Sequence, residues 1–536
     1  MDNRFKNVYE SIKEKHAPIL RDCGTQMMSF IQKYYAYDPT HFPAERYAKD
    51  QCMLYLQEIL LLCSQKKMTV QQLREGVENL YFLSYVLSST HVAAFRMLIE
   101  DLVSIVSMSR ELINTAERTA GCKVTNWEDV IGFMKQEAEN VSSEAKFVLG
   151  RISDFAISKL IGAGSFGAVY KARMGRAQCV VKFVPTKAPP HVGAAIADKC
   201  VASMVNHPCV VKYYACFAGK DVYVTAMEYI RGVDVIHLLK VMGKLSEKLC
   251  RVIVSQVGLA LIHLHLKGFI HRDVKPSNMM ITAGCRVKLI DFDTARVCIG
   301  KYDTRKSWGF MRRTAKEFES GEIAGTLTFM APEIFKNSGY GRALDWWALG
   351  VTTFELITGR LPFPVEDSID KTKEAICNAR YEWPKDRGFD AQLQNFVMRC
   401  LTVRAEDRLA SIHYNEFLRH PFFEAPDWRL IETSPKLLDF QPIQELLRNR
   451  KSIPAEKWSP EISPGAAQKK SRLFKELSFE DSLEPTPNMF AYSSPGFIRA
   501  REAVENHLIP DNQTLYDPPE LVYEEDDPEA YYFENF

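Results

Sequence analysis

The octapeptide His271-Arg272-Asp273-Val274-Lys275-Pro276-Ser277-Asn278 puts an acid, a cation and an amide within one short turn. That set suits phosphoryl transfer. The reaction needs a carboxylate to orient an attacking hydroxyl, and Asp273 can supply it. It needs a positive charge beside the moving phosphoryl group, and Lys275 can supply that. It needs a neutral oxygen ligand for magnesium a turn later, and Asn278 fits. A bare His-Arg-Asp tripeptide also occurs in turns without function, so the surrounding motifs carry the discrimination.

Upstream lies Gly162-Ala163-Gly164-Ser165-Phe166-Gly167-Ala168-Val169. Dinucleotide-binding folds use the same glycine spacing, but there the loop opens a helix. Here it runs on into Val169-Tyr170-Lys171-Ala172, which reads as a second strand. A glycine-rich hairpin of this kind can close over phosphates with its backbone amides facing oxygen. The next strand, Cys179-Val180-Val181-Lys182-Phe183-Val184, is apolar except for Lys182. A lysine there can reach α- and β-phosphates from a dry surface; the alternative is an edge-strand lysine pointing to water. Asp291-Phe292-Asp293 follows the apolar strand Val287-Lys288-Leu289-Ile290, which would aim Asp291 at magnesium.

These motifs, with Ala331-Pro332-Glu333, Asp345-Trp346-Trp347-Ala348-Leu349-Gly350 and Arg408, resemble those of eukaryotic protein Ser/Thr kinases over about residues 154–423. His420-Pro421-Phe422-Phe423 with Asp427-Trp428 resembles the exit into the C-terminal tail of the AGC group. The segment 227–235, the following Leu238-Leu239 to Leu245 and the long insert before Gly325-Thr326 resemble the microtubule-associated Ser/Thr kinases. The resemblance implies an α+β fold: a bilobal kinase with a β-rich N-lobe and a helical C-lobe, preceded by an all-α helical bundle. It implies ATP and Mg2+ as cofactors and protein Ser/Thr hydroxyls as acceptors. Gly162, Gly164, Gly167 and Val169 would cover the nucleotide, Lys182 would bind its phosphates, and Glu228 and Ile230 of the hinge would face its base. Asn278 and Asp291 would hold the metal. Asp273, Lys275 and Thr326 would form the catalytic set, with Thr326 supporting the other two. Asp345 would tether the catalytic-loop backbone, and Arg408 would pair with Glu333.

Three departures from the family pattern stand out. Asp293 replaces the glycine of Asp-Phe-Gly and adds a negative charge near Asp291 and the metal. Asp198, counted back from His207-Pro208, replaces the glutamate expected to pair with Lys182. It is one methylene shorter, so the pair needs its helix to sit closer. Ser277 stands where basophilic AGC kinases usually carry an acid. The first function is therefore an active Ser/Thr kinase. The alternative, from another class, is a pseudokinase scaffold that binds partners through its helical domain and tail. The resemblance also implies a substrate arginine three residues before the phosphorylated hydroxyl, facing Asp234. Glu322, four residues before Thr326, falls where AGC kinases are phosphorylated, and Arg272 would be its partner.

The 536 residues carry a net charge of +1, so no global field favours nucleic acid or a membrane surface. The 13 cysteines show no Cys-x-x-Cys spacing and read as reduced thiols of a cytoplasmic protein. The apolar stretches near residues 54–63 and 97–108 are short and interrupted by acids, so no membrane span is expected. Residues 1–148 show helical spacing, with Ile59, Leu62 and Cys63 on one face and Leu98, Leu102, Ile105 and Val106 on another. They read as a helical bundle, either packed on the N-lobe or engaging a regulatory partner. The kinase domain takes residues 149–423. The tail, 424–536, reads as a largely disordered linker over 434–519, because prolines are frequent and Ser434, Ser459, Ser463, Thr486 and Ser494 each precede one. It ends in acids and the aromatics Tyr531, Tyr532, Phe533 and Phe536, which match either an ATP-site tether or an N-lobe docking motif.

Overall fold

The computed structural model describes residues 150–163, 167–186, 189–266, 269–297, 325–336, 339–365, 368–385, 388–449, 480–482, 491–519 and 521–522. The expected helical bundle, Gly164, Glu322 and the C-terminal aromatics lie outside these residues.

The N-lobe is an antiparallel sheet of β1 (Ala156–Ala163), β2 (Ala168–Met174), β3 (Ala177–Pro185), β4 (Tyr213–Gly219) and β5 (Val222–Glu228). Hydrogen bonding orders them β1-β2-β3-β5-β4. β3 is central, and its Val181, Phe183 and Val184 are buried. A strand buried on both faces reads as a near-continuous apolar run, which is what its sequence shows. Gly167 opens β2 where a Cβ would meet the Phe183 carbonyl oxygen at 2.5 Å, so the glycine-rich hairpin can only reach this register without a side chain there. Helix α1 (Pro189–Met204) packs on β3, β4 and β5.

Below the hinge, β6 (Gly232–Asp234) leads into α2 (Val235–Met242) and the long α3 (Glu247–Leu266). β6 pairs with β7 (Met279–Thr282), and β7 with β8 (Val287–Leu289). This small sheet carries the catalytic loop and Asp291 at its ends. The C-lobe core is formed by α3 and α4 (Ala343–Thr358), whose Trp346, Trp347, Leu349 and Phe354 are buried. The window Glu247–His265 of α3 is long and apolar enough to cross a membrane, but 83% of it is buried inside the fold. Core helices share that composition.

Within the expected linker over 434–519, the described residues include ordered elements. α5 (Trp428–Thr433) and α6 (Gln441–Asn449) run against the C-lobe side, and farther on β9 (Tyr492–Ser493) joins the edge of β4. α7 (Pro495–Glu505) then lies on the N-lobe, where Phe497, Ala500 and Leu515 are buried in one cluster with Phe155 and Phe217. The Phe155 ring stacks on Phe497 at 5.9 Å and on Phe217 at 6.2 Å. Composition misled here for a local reason. Ser494-Pro495 is a helix start: the Ser494 hydroxyl oxygen accepts from the Phe497 N–H at 3.1 Å, and Pro495 takes the first turn, where no N–H is needed. Phe497→Ala should therefore lower thermal stability by about 3 kcal/mol. It should also raise hydrogen exchange along β4, read by mass spectrometry.

Candidate active site

Lys182 extends from β3 into the cleft between the lobes and is 6% exposed. Its Nζ lies 2.7 Å from Asp198 Oδ2 on α1. The shortened acid thus still reaches Lys182. Ala194, Ala195 and Ala202 of α1 are buried, and small side chains at a contact allow a short interaxial distance. Tyr213 of β4 completes the placement, its hydroxyl donating to Asp198 Oδ1 at 2.9 Å. Lys182 has a further partner, the Asp293 carboxylate, in a second ion pair. Burial alone would depress the Lys182 ammonium; the charges of Asp198, Asp293 and Asp291 outweigh it and hold the pKa above its ordinary value.

The catalytic loop is pinned by Asp345. Its carboxylate accepts from the His271 and Arg272 backbone N–H groups, both at 2.9 Å, and bonds His265 Nε2 at 2.9 Å. Burial pushes the Asp345 carboxyl up, but these bonds outweigh it and the pKa lies below the usual value. The tether matters because Arg272 adopts φ 66°, a left-handed conformation that its local sequence does not favour. The Arg272 side chain donates to the Thr294 carbonyl at 2.5 Å and to the Tyr340 hydroxyl at 3.1 Å.

Both oxygens of Asp273 are engaged. Oδ1 accepts from the Thr326 N–H at 3.1 Å and the Thr326 hydroxyl at 3.0 Å. Oδ2 accepts from Asn278 Nδ2 at 2.9 Å and faces Lys275 Nζ at 2.8 Å. Lys275 also donates to Thr326 Oγ1 at 2.6 Å. Gly325 makes this closure possible: at φ 102° a Cβ would meet the Arg272 carbonyl oxygen at 2.5 Å. Asn278 spends its amide nitrogen on Asp273, leaving its oxygen as the remaining acceptor.

Asp291 sits at the cleft opening at φ 65°. Withdrawal from solvent on its protein side, then the Asp293, Asp198 and Asp273 charges, raise its pKa to about 7, although Lys182 pulls the other way. A carboxylate crowded by others calls for a positive charge, and Asp291 and the Asn278 amide oxygen would be hard oxygen ligands of the kind magnesium takes. Between Asp291 and Asp293, Phe292 is fully buried, against His271 at 4.7 Å and Tyr213 at 6.4 Å.

Thus Lys182, Asp198, Asp273, Lys275, Asn278, Asp291 and Thr326 converge on one cleft. Gly162 pairs with Val169 across the β1–β2 hairpin, above Lys182, which is itself paired with Val169. At the hinge the Glu228 side chain turns away to Lys288 Nζ at 2.5 Å and the Lys212 N–H at 2.8 Å, and its own N–H donates to the Lys212 carbonyl at 2.8 Å, so neither its side chain nor its N–H is left for a base. The Ile230 carbonyl accepts from Gly232 N–H at 3.0 Å. Sequence reading missed two positions. Tyr213 carries no local signal. Asp293 was noticed as a charge beside the metal, but its contact with Lys182 arises only in three dimensions.

A two-lobed fold with a buried lysine–acid pair above a tethered His-Arg-Asp loop defines a kinase-fold protein. The protein kinase domain model matches residues 155–423, and the chain belongs to that family. It is similar to "Protein kinase 3" of Dictyostelium discoideum, 31% identical over 300 residues covering 54% of this chain and 32% of that protein. It is also similar to the "Probable serine/threonine protein kinase IRE4" of Arabidopsis thaliana, at 30% over 341 residues, 60% of this chain and 32% of that protein. "Ribosomal protein S6 kinase alpha-6" of Homo sapiens is 27% identical over 338 residues, 61% of this chain and 43% of that protein. The chain thus spans about a third of the length of the first two.

Proposed function

We propose that the chain is an ATP-dependent protein Ser/Thr kinase. The observation that carries this reading is the set of contacts on Asp273. Thr326, Asn278 and Lys275 leave the carboxylate one orientation, facing the cleft. There it can accept the proton of an incoming hydroxyl as the oxygen attacks. Lys275 can follow the charge on the transferring group, and Lys182 can hold the phosphates. Magnesium, on Asn278 and Asp291, would neutralise charge on the phosphate oxygens. Transfer of radiolabel from γ-labelled ATP to a mixed protein substrate tests the reading. Label on serine or threonine that disappears in Lys182→Met is expected; no label and no nucleotide binding would defeat it.

The Ser/Thr kinase names of the relatives and the S6 kinase match support an AGC-type enzyme. The closer resemblance to microtubule-associated kinases rests on the hinge and insert residues. For substrates, we propose that Asp234 selects arginine at minus three. Its Oδ1 caps α2 by accepting from the His237 N–H at 2.7 Å. Asparagine also caps helices, so Asp234→Asn isolates the charge. A peptide array should lose its arginine preference in that variant without a change in Tm. A preference that survives intact would remove Asp234 from substrate selection. One observation favours the scaffold reading: Lys182 is engaged by Asp293.

A further inference from the structure

Lys182 meets two carboxylates where the family pattern provides one. The Asp198 contact, 2.7 Å long, comes from the helix; the Asp293 contact comes from the position that otherwise has no side chain. The side chains of Lys182 and Asp293 are each 8% exposed. Both partners therefore meet largely out of water, where a charged hydrogen bond is stronger than at a surface. The ammonium has three N–H donors and two are taken, so a nucleotide phosphate meets one remaining donor flanked by two carboxylate charges and binds better if the less supported carboxylate leaves.

Asp198 is poorly suited to leave. It is 1% exposed and held from its other oxygen by Tyr213. Among the described residues, the Asp293 side chain has Lys182 as its one partner. Its backbone, however, is fixed on both sides. Phe292 is wedged between His271 and Tyr213. Thr294 donates its hydroxyl to the His271 carbonyl at 3.1 Å and accepts Arg272 Nε on its own carbonyl at 2.5 Å. The Asp293 side chain can thus rotate away from Lys182 without moving the segment that carries Asp291.

We propose that Asp293 is a built-in competitor of the nucleotide, a carboxylate that occupies Lys182 in the empty cleft and yields it to the phosphates of ATP. This rests on the ATP-site reading above. It removes the conflict between an engaged lysine and an active enzyme: the engagement is a reversible tax on ATP affinity, and Lys182 remains usable. Once displaced, the carboxylate stays beside the phosphates. The penalty therefore falls on phosphate-bearing ligands and spares the base and sugar.

The full-length chain and its Asp293→Asn and Asp293→Gly variants can be titrated calorimetrically with MgATP and, separately, with adenosine. Asparagine keeps the shape and removes the charge; glycine removes the side chain. Both variants should bind MgATP about tenfold more tightly, the scale of one charged competitor lost. Adenosine affinity should stay within about twofold, since it cannot reach Lys182 with a phosphate. Unchanged or weakened MgATP binding in both variants overturns the proposal. So does an equal shift for both ligands, which would mark a general disturbance of the cleft. If no protein binds either ligand, the ATP-site reading fails, and the competitor with it.

Discussion

Asp273→Asn is expected to cut phosphotransfer by about 10²–10⁴-fold, the range typical for losing a positioned acid–base group. The affinity for MgATP should change little, because in the proposed function Asp273 serves the acceptor hydroxyl while Lys182 and Asp291 serve the nucleotide. The wild-type carboxylate accepts from four donors in Thr326, Asn278 and Lys275. Asparagine has one oxygen and one NH2 in the same shape. Whichever way the amide turns, its NH2 faces a donor, so the loop is strained as well as chemically weakened. Steady-state turnover beside a calorimetric nucleotide titration separates the two effects. A rate within about threefold of wild type would rule Asp273 out as the group that takes the hydroxyl proton, and the kinase mechanism would need another base.

How much of this site is legible in the sequence depends on how local its chemistry is. His271 to Asn278 is readable because the transfer reaction demands specific residue types within one turn. Lys182 is readable because a lone lysine in an apolar strand needs a reason. Asp198 can be found by counting, but whether it reaches Lys182 depends on how closely α1 approaches the sheet. Buried alanines and the Tyr213 hydroxyl decide that, and both act through space. The contact between Asp293 and Lys182 spans 111 positions, and no periodicity encodes it. The tail shows the opposite failure. Proline frequency suggested a linker, although Ser494-Pro495 is equally a helix start. What settles the choice is the apolar cluster of Phe155 and Phe217 that waits for Phe497, and that cluster exists only after the N-lobe has folded.

Stability should depend most on an ion pair far from the nucleotide. Arg408 is 1% exposed and meets Glu333 with both arms, Nη1 to Oε1 at 2.7 Å and Nη2 to Oε2 at 2.9 Å. It also donates to the Ala343 carbonyl at 2.7 Å and the Thr402 carbonyl at 3.0 Å, and its guanidinium lies over the Trp347 ring at 5.1 Å. Arg408→Met should therefore cost about 3–5 kcal/mol, mostly because Glu333 would be left buried and unpaired. The half-exposed pair Arg399–Glu416, at 2.8 Å, is the control, and Arg399→Met should cost at most about 1 kcal/mol from the lost pair. Converting Glu333 to glutamine in the Arg408→Met background should recover part of the loss, since the orphaned charge is then gone. The consequence reaches the active site. Glu333 starts just after the turn Leu327–Phe329, and that turn follows Thr326, which holds Asp273. A loosened Glu333 should let Thr326 drift, so turnover measured below the Tm should fall along with stability. Denaturant unfolding of the four proteins decides the matter: if Arg408→Met costs no more than Arg399→Met, the buried pair is not what anchors this end of the activation segment.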